Sequence, residues 1–195
     1  MLKSVLSACL VAASLLVMSP AGSAQNQKPA QDDISIMGIG RATQVRFAET
    51  WIRFRPNPYN GEHLITRPGH DVATICWVMG ADGKLWDMVF DHNQKYIGWT
   101  HEENLTVTSS TWCNSFGRGT TLNGTTAWVH LAPYEDWAHE VVHEGNNLAS
   151  VCYYQQTANK RWDVVLEHGA DNKLNRVGLT YSSYLDSPSS TPCTP

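Results

Sequence analysis

One stretch of the chain occurs twice. Residues 76–92 read CWVMGADGKLWDMVFDH and residues 152–168 read CYYQQTANKRWDVVLEH, aligned without a gap. Cys76 matches Cys152, Lys84 matches Lys160, Trp86 matches Trp162, Asp87 matches Asp163, Val89 matches Val165 and His92 matches His168. The register extends upstream, where Gly40, Arg41, Thr43, Trp51 and Pro56 pair with Gly117, Arg118, Thr120, Trp128 and Pro133. One residue is then lost, so that Gly69 and Ala73 meet Gly145 and Ala149. After an insertion around Gly169 to Lys173, Gly98, Thr100 and Leu105 match Gly178, Thr180 and Leu185, and the run Ser109-Ser110-Thr111-x-Cys113 matches Ser189-Ser190-Thr191-x-Cys193. With their flanks the copies occupy residues 37–113 and 114–195. Any fold assigned to one copy must therefore suit the other.

The residues ahead of the repeats read differently. Residues 1–24 carry Lys3, an apolar run from Val5 to Met18 and a small-residue exit at Gly22-Ser23-Ala24, the pattern of a secretory signal cleaved after Ala24. That run is too short for a comfortable membrane span. Residues 25–36 are polar and rich in helix breakers, and read as a flexible leader. Loss of Lys3 takes the formal net charge from −4 to −4 − 1 = −5. A chain with that balance lacks the basic face that non-specific nucleic-acid or anionic-lipid binding requires. Secretion or a periplasmic location is the expectation.

Cleavage removes Cys9 and leaves Cys76, Cys113, Cys152 and Cys193, an even set in an exported chain. A unit duplicated as a unit carries its own bridge, which selects Cys76–Cys113 and Cys152–Cys193 from the three connectivities. In the chain-entropy model each such loop contributes roughly 4 kcal/mol. No C-x-x-C spacing supports a metal reading of these cysteines.

Short β-branched and aromatic segments broken by turn formers predict an all-β fold of about five strands per copy. In the first copy these are Thr50–Phe54, Asp71–Met79, Leu85–Asp91, Tyr96–Thr100 and Asn104–Thr108. Ala81-Asp82-Gly83-Lys84 supplies a hairpin turn. Trp86 to Phe90 and Trp162 to Leu166 alternate as strands with one apolar face turned inward. Asp87 and Asp163, inside these strands, are expected to point outward or to bond a backbone amide. Lys84 and Lys160 are expected to be solvated.

The order of Trp51-Ile52-Arg53-Phe54-Arg55-Pro56, Gly69 before an apolar strand, Gly83-x-x-Trp86-x-x-Val89, and Gly98-Trp99 with Leu105 resembles the bacterial SH3-like domain. The resemblance covers Val45 to Leu105. The second copy departs from it, with His130 and Ala132 in place of the arginines and Leu179 in place of the Trp after the glycine. The resemblance implies two tandem small SH3-like barrels forming an exported, non-enzymatic binding or structural module, without a cofactor, for peptidoglycan or a peptide or protein ligand. SH3-type recognition uses an aromatic-lined groove. Tyr59, Trp77, Tyr96, Tyr153, Tyr154 and Tyr181 are the candidates for that role.

A competing reading comes from His139-Glu140-Val141-Val142-His143, an H-E-x-x-H match. On a helix, His139 and His143 share a face and hold zinc while Glu140 activates a bound water, which would make a secreted metallopeptidase. The repeat opposes this, because the segment aligns with Glu62 to Arg67, where no such motif stands and a strand follows Gly69. His92 and His168 close the Trp-Asp strands and suit a turn, while His63, His70, His101 and His130 are scattered. A third reading, a secreted inhibitor or ligand of a host protein, predicts the same sequence features as the first.

Overall fold

In a computed structural model the described residues are 40–59, 61–134, 138–169 and 176–193. The signal-like segment and the leader lie outside them. The described chain is all-β, in two six-stranded antiparallel sheets of matching design. The first contains β1 (Arg41–Thr43), β2 (Thr50–Arg53), β3 (His63–Thr66), β4 (Val72–Met79), β5 (Leu85–Asp91) and β6 (Tyr96–His101). The second contains β7 (Arg118–Thr120), β8 (Thr126–His130), β9 (His139–His143), β10 (Asn147–Thr157), β11 (Lys160–His168) and β12 (Arg176–Tyr181). The strand orders, β1-β4-β5-β6-β2-β3 and β7-β10-β11-β12-β8-β9, are the same topology written twice. Each order is open, with β1 or β7 at one edge and β3 or β9 at the other, so neither repeat is the closed small barrel that was expected.

Among the short strands, β1, its equivalent β7 and β3 were not legible as strands, whereas the β9 segment was strand-like in its own right through Val141 and Val142. The illegible ones are three or four residues long, too short for a period of two to emerge. The strand expected over residues 104–108 is instead a 3-10 turn, Glu102–Asn104, followed by a single antiparallel bridge of Leu105 to Val45.

Both faces of β5 and β11 are covered along most of their length, which departs from the one apolar face expected of the Trp-Asp strands. Along β5, Trp86, Met88 and Phe90 enter a central core together with Trp99, Ile97, Trp162, Leu166, Val177 and Leu179, so both repeats build it. The alternate residue Val89 turns to a small core of its own repeat, with Val45, Ile52, Val72 and Leu105. The second repeat builds the counterpart from Leu122, Val129, Leu148, Val165 and Leu185, each at the equivalent position. Strands covered on two sides read as near-continuous apolar runs. Backbone bonds cross between the repeats in matched pairs: Ile97 N–H donates to Leu131 O at 2.8 Å and Val177 N–H donates to Phe54 O at 3.0 Å. Gly98 and Gly178 lie where β6 and β12 pass β2 and β8. A Cβ on Gly98 would stand 2.7 Å from Arg53 O, and one on Gly178 would stand 2.9 Å from the Val129 side chain.

The Ser-Ser-Thr-x-Cys run is a strap that ends each repeat. Cys76 is bonded to Cys113 and Cys152 to Cys193. Trp77 N–H donates to Thr111 O at 2.8 Å, and Tyr153 N–H donates to Thr191 O at 2.9 Å. Beneath the strap Asp87 is buried, not turned to solvent. Its Oδ2 accepts Thr74 Oγ1–H at 2.6 Å and Ser109 N–H at 2.8 Å. Asp163 repeats this with Ser150 and Ser189, both at 2.6 Å. A disulfide and a buried carboxylate thus fasten the same strap, and this accounts for the twofold recurrence of the motif.

Candidate functional site

The alternation along β2 and β8 generates the site. Ile52 and Val129 face inward and are buried, so Trp51 and Trp128 point the other way and stand about half exposed, at 46% and 53%. Each indole is held flat by a histidine on the neighbouring strand: Trp51 stacks on His63 at 4.4 Å between centroids, and Trp128 on His139 at 4.5 Å. His63 and His139 are equivalent in the repeat. Exposed tryptophans fixed by a stacked partner make rigid platforms, an uncommon arrangement for an isolated surface residue.

Beside each platform is a groove whose floor is the repeated tryptophan of β5 or β11. The second-repeat groove, about 370 Å³, is bounded by Trp128, His130, Trp162, Tyr181 and Tyr184, with Thr126 at its edge. Trp162 is buried, donates its Nε1–H to Gln156 Oε1 at 3.0 Å and stacks on Tyr181 at 4.1 Å. Tyr184 meets Tyr181 edge to face at 5.6 Å. None of the lining side chains is a carboxylate, a lysine or an arginine.

The first-repeat groove, about 290 Å³, is made by the equivalent positions: Glu49, Trp51, Arg53, Trp86, His101 and Asn104. Here the chemistry is charged. The Arg53 guanidinium lies 4.7 Å over the Trp51 ring. Trp86 Nε1–H donates to Asp82 Oδ1 at 3.0 Å, and the His101 ring meets Trp86 edge-on at 3.9 Å. Burial works to raise the Asp82 pKa, but hydrogen bonds from Trp86, the Lys84 amide and His101 outweigh it and hold the carboxyl below its ordinary range. An ionised carboxylate only accepts, so His101 Nε2–H is the donor across the 2.9 Å to Asp82 Oδ2. The other ring nitrogen of His101 is 3.3 Å from Glu103 Oε1.

Of the six aromatic candidates, Tyr181 lines a groove. Tyr59 is exposed in the loop after β2. Trp77 stacks on Trp112 beside the first strap at 6.1 Å. Tyr153 carries the Arg161 guanidinium 3.8 Å over its ring. Tyr154 packs against the central core, and Tyr96 against the core of its own repeat. The groove residues Trp51, Arg53, Trp86, His101, Trp128, His130, Trp162 and Tyr184 were not among the candidates. The matched pair Trp51 and Trp128, each beside an inward-facing aliphatic residue, was the signal available for them.

The H-E-x-x-H segment is strand β9, paired with β8 from Thr126↔His143 to His130↔His139. Four residues along a strand span roughly 13 Å, so His139 and His143 cannot share one zinc ion. Glu140 points to the opposite face, where its Oε2 accepts from Arg55 at 2.7 Å and from Arg176 at 3.0 Å. Arg176 also pairs with Glu167 at 2.6 Å and donates to Val141 O at 2.7 Å. Among the described residues no three His, Cys, Asp or Glu side chains are grouped to hold a metal. Arg55, Glu167 and Arg176 line a third cleft of about 370 Å³ with Asn146, Asn147 and His168, and each of the three is engaged in an ion pair. His168, like His92, has its pKa lowered by burial.

The chain matches no family model, no curated protein and no solved structure. Its functional reading therefore rests on the geometry of the duplicated grooves.

Proposed function

We propose that this is an exported, non-enzymatic binding module in which two SH3-like repeats each present one aromatic groove to a cell-wall or peptide ligand. The observation that carries the proposal is the coincidence of the grooves. Six of the lining positions are shared by the two grooves and equivalent under the repeat: Glu49 and Thr126, Trp51 and Trp128, Arg53 and His130, Trp86 and Trp162, His101 and Tyr181, Asn104 and Tyr184; Ala127 in one groove and Pro58 and Thr100 in the other complete the linings. A core requirement explains the buried Trp86 and Trp162. It does not explain Trp51 and Trp128, whose rings are held against histidines while half exposed, and rigid exposed aromatics of this kind supply contact area at small entropic cost. The paired disulfides suit an oxidising compartment, which supports export. The strand geometry of β9 favours this reading over a metallopeptidase.

Cosedimentation with insoluble peptidoglycan, alongside an array of immobilised peptides, tests the proposal. The protein is expected to be retained on one of the two, and Trp51→Ala/Trp128→Ala to reduce retention at least tenfold. Retention unaffected by the double substitution would place the ligand elsewhere and overturn the groove assignment.

A further inference from the structure

The two grooves keep both tryptophans and differ at the other shared positions, one of which changes a histidine for an arginine. Where the second repeat has His130, the first has Arg53, and Arg53 is a peculiar arginine. The residue as a whole is 6% exposed, although it lines an open groove. Among the described residues no carboxylate pairs with its guanidinium, whose contact is the face of Trp51 at 4.7 Å. Every other arginine in a comparable setting is engaged: Arg55 with Glu140, Arg176 with Glu140 and Glu167, and Arg161 with Asp163 at 3.5 Å. A cation that faces an open groove without a counter-charge is placed to meet an anion arriving from solvent. Burial lowers the Arg53 pKa from its ordinary value, yet an arginine remains charged at neutral pH.

We propose that the first-repeat groove binds a carboxylate through Arg53, with the apolar body of the ligand on Trp51 and Trp86. This rests on the reading of the grooves as ligand sites. The guanidinium is placed in advance, because Arg53 sits at the junction of three strands, opposite His63 on β3 and Trp99 on β6. Its planar fork suits a bidentate carboxylate contact. The neighbouring charges narrow the ligand further. His101 is held by Asp82 and Glu103 and adds no second anion donor, while Glu49 stands on the groove wall and repels a second negative charge. A monoanion is thereby favoured over a dianion such as phosphate. The carboxylate belongs either to a peptide C-terminus or to an acidic side chain, and the second-repeat groove, with His130 in place of the arginine, does not share the preference.

The test follows the tryptophan indole N–H resonances of the intact protein by NMR during titration with N-acetylphenylalanine, with its uncharged amide, and with N-acetyl-aspartyl-phenylalanine amide. The free carboxylate or the aspartyl probe is expected to shift Trp51 and Trp86 at least tenfold more tightly than the amide, and whichever does so identifies the source. Arg53→Gln should remove that difference, and Arg53→Lys should keep part of it. Equal binding of all three probes at the first groove overturns the carboxylate assignment while leaving the grooves as ligand sites. Shifts at neither groove with any probe overturn the groove reading itself. The comparison among probes is made on the unsubstituted protein, so it stands even where an Arg53 variant fails to fold.

Discussion

The backbone N–H of Ile97 donates to the carbonyl oxygen of Leu131 at 2.8 Å, joining β6 of the first repeat to the end of β8 in the second. The equivalent bond from Val177 to Phe54 runs the other way at 3.0 Å. Together with a core drawn from both repeats, these bonds make the described residues of the two repeats one compact unit. Substituting Leu179, which is fully buried in that core, is therefore expected to weaken both repeats. Leu179→Ala should cost about 2–5 kcal/mol. Native-state hydrogen exchange should show the amides of β5, in the other repeat, losing protection as much as those of β11. Loss confined to the second repeat would mean that the two fold independently.

Asp87 gives a pH dependence of unusual sign. Burial pushes its pKa up from 3.8 to about 6, against the opposing hydrogen bonds from Thr74 and the Ser109 amide. Between those values the folded protein holds a proton that the unfolded chain has released, so stability falls as pH rises through this window and levels off above it. The difference corresponds to about 3 kcal/mol at about 1.36 kcal/mol per pH unit. Asp87→Asn lacks the step. Denaturant unfolding at pH 4 and pH 7 should show the variant gaining on the unsubstituted protein as pH rises, and a constant difference would contradict the assignment.

The straps are expected to matter more than their exposure suggests. Joint replacement of Cys152 and Cys193 by serine should cost about 2–5 kcal/mol. It should also raise exchange at the Tyr153 amide, which donates to Thr191 of the strap. Denaturation in the presence and absence of reductant measures both effects.

Trp128 and Trp162 line the same groove and should behave oppositely. Trp162 is 1% exposed, so Trp162→Ala should cost about 3–5 kcal/mol. Trp128 is half exposed, so Trp128→Ala should leave stability within about 1 kcal/mol while removing binding in that groove. Thermal unfolding set beside a binding assay separates the two.

Glu140 is expected to act through its arginines. Glu140→Gln withdraws the partner shared by Arg55 and Arg176 and should cost about 1–3 kcal/mol. A chelator should leave the melting temperature unchanged, whereas stoichiometric zinc bound through His139 and His143 would contradict the strand assignment.

How much of this was legible in the sequence depended on distance along the chain. The disulfides and the Trp-Asp strands could be read because each repeat states them in an unbroken register. The burial of Asp87 could not, because the strap that covers it belongs to Ser109, far along the chain, and a carboxylate inside a strand ordinarily seeks water. The grooves were illegible for a related reason. Trp128 on β8 and Tyr184 in a 3-10 turn line one groove although they lie far apart along the chain, while Tyr153 and Trp77, which looked exposed by alternation, are engaged by Arg161 and Trp112. The repeat had already weighed against a zinc site at His139 and His143, and the strand supplies the physical reason: the spacing that aligns two residues on a helix separates them on a strand.

The most direct test of the duplicated grooves is a chemical-shift map of the intact protein titrated with a soluble mixture of peptidoglycan fragments and, separately, with a peptide selected from the array. Saturable shifts concentrated at Trp51, Trp86, Trp128, Trp162, Tyr181 and Tyr184 are predicted. Shifts concentrated instead around Trp77 and Trp112, with the groove resonances unmoved, would contradict it.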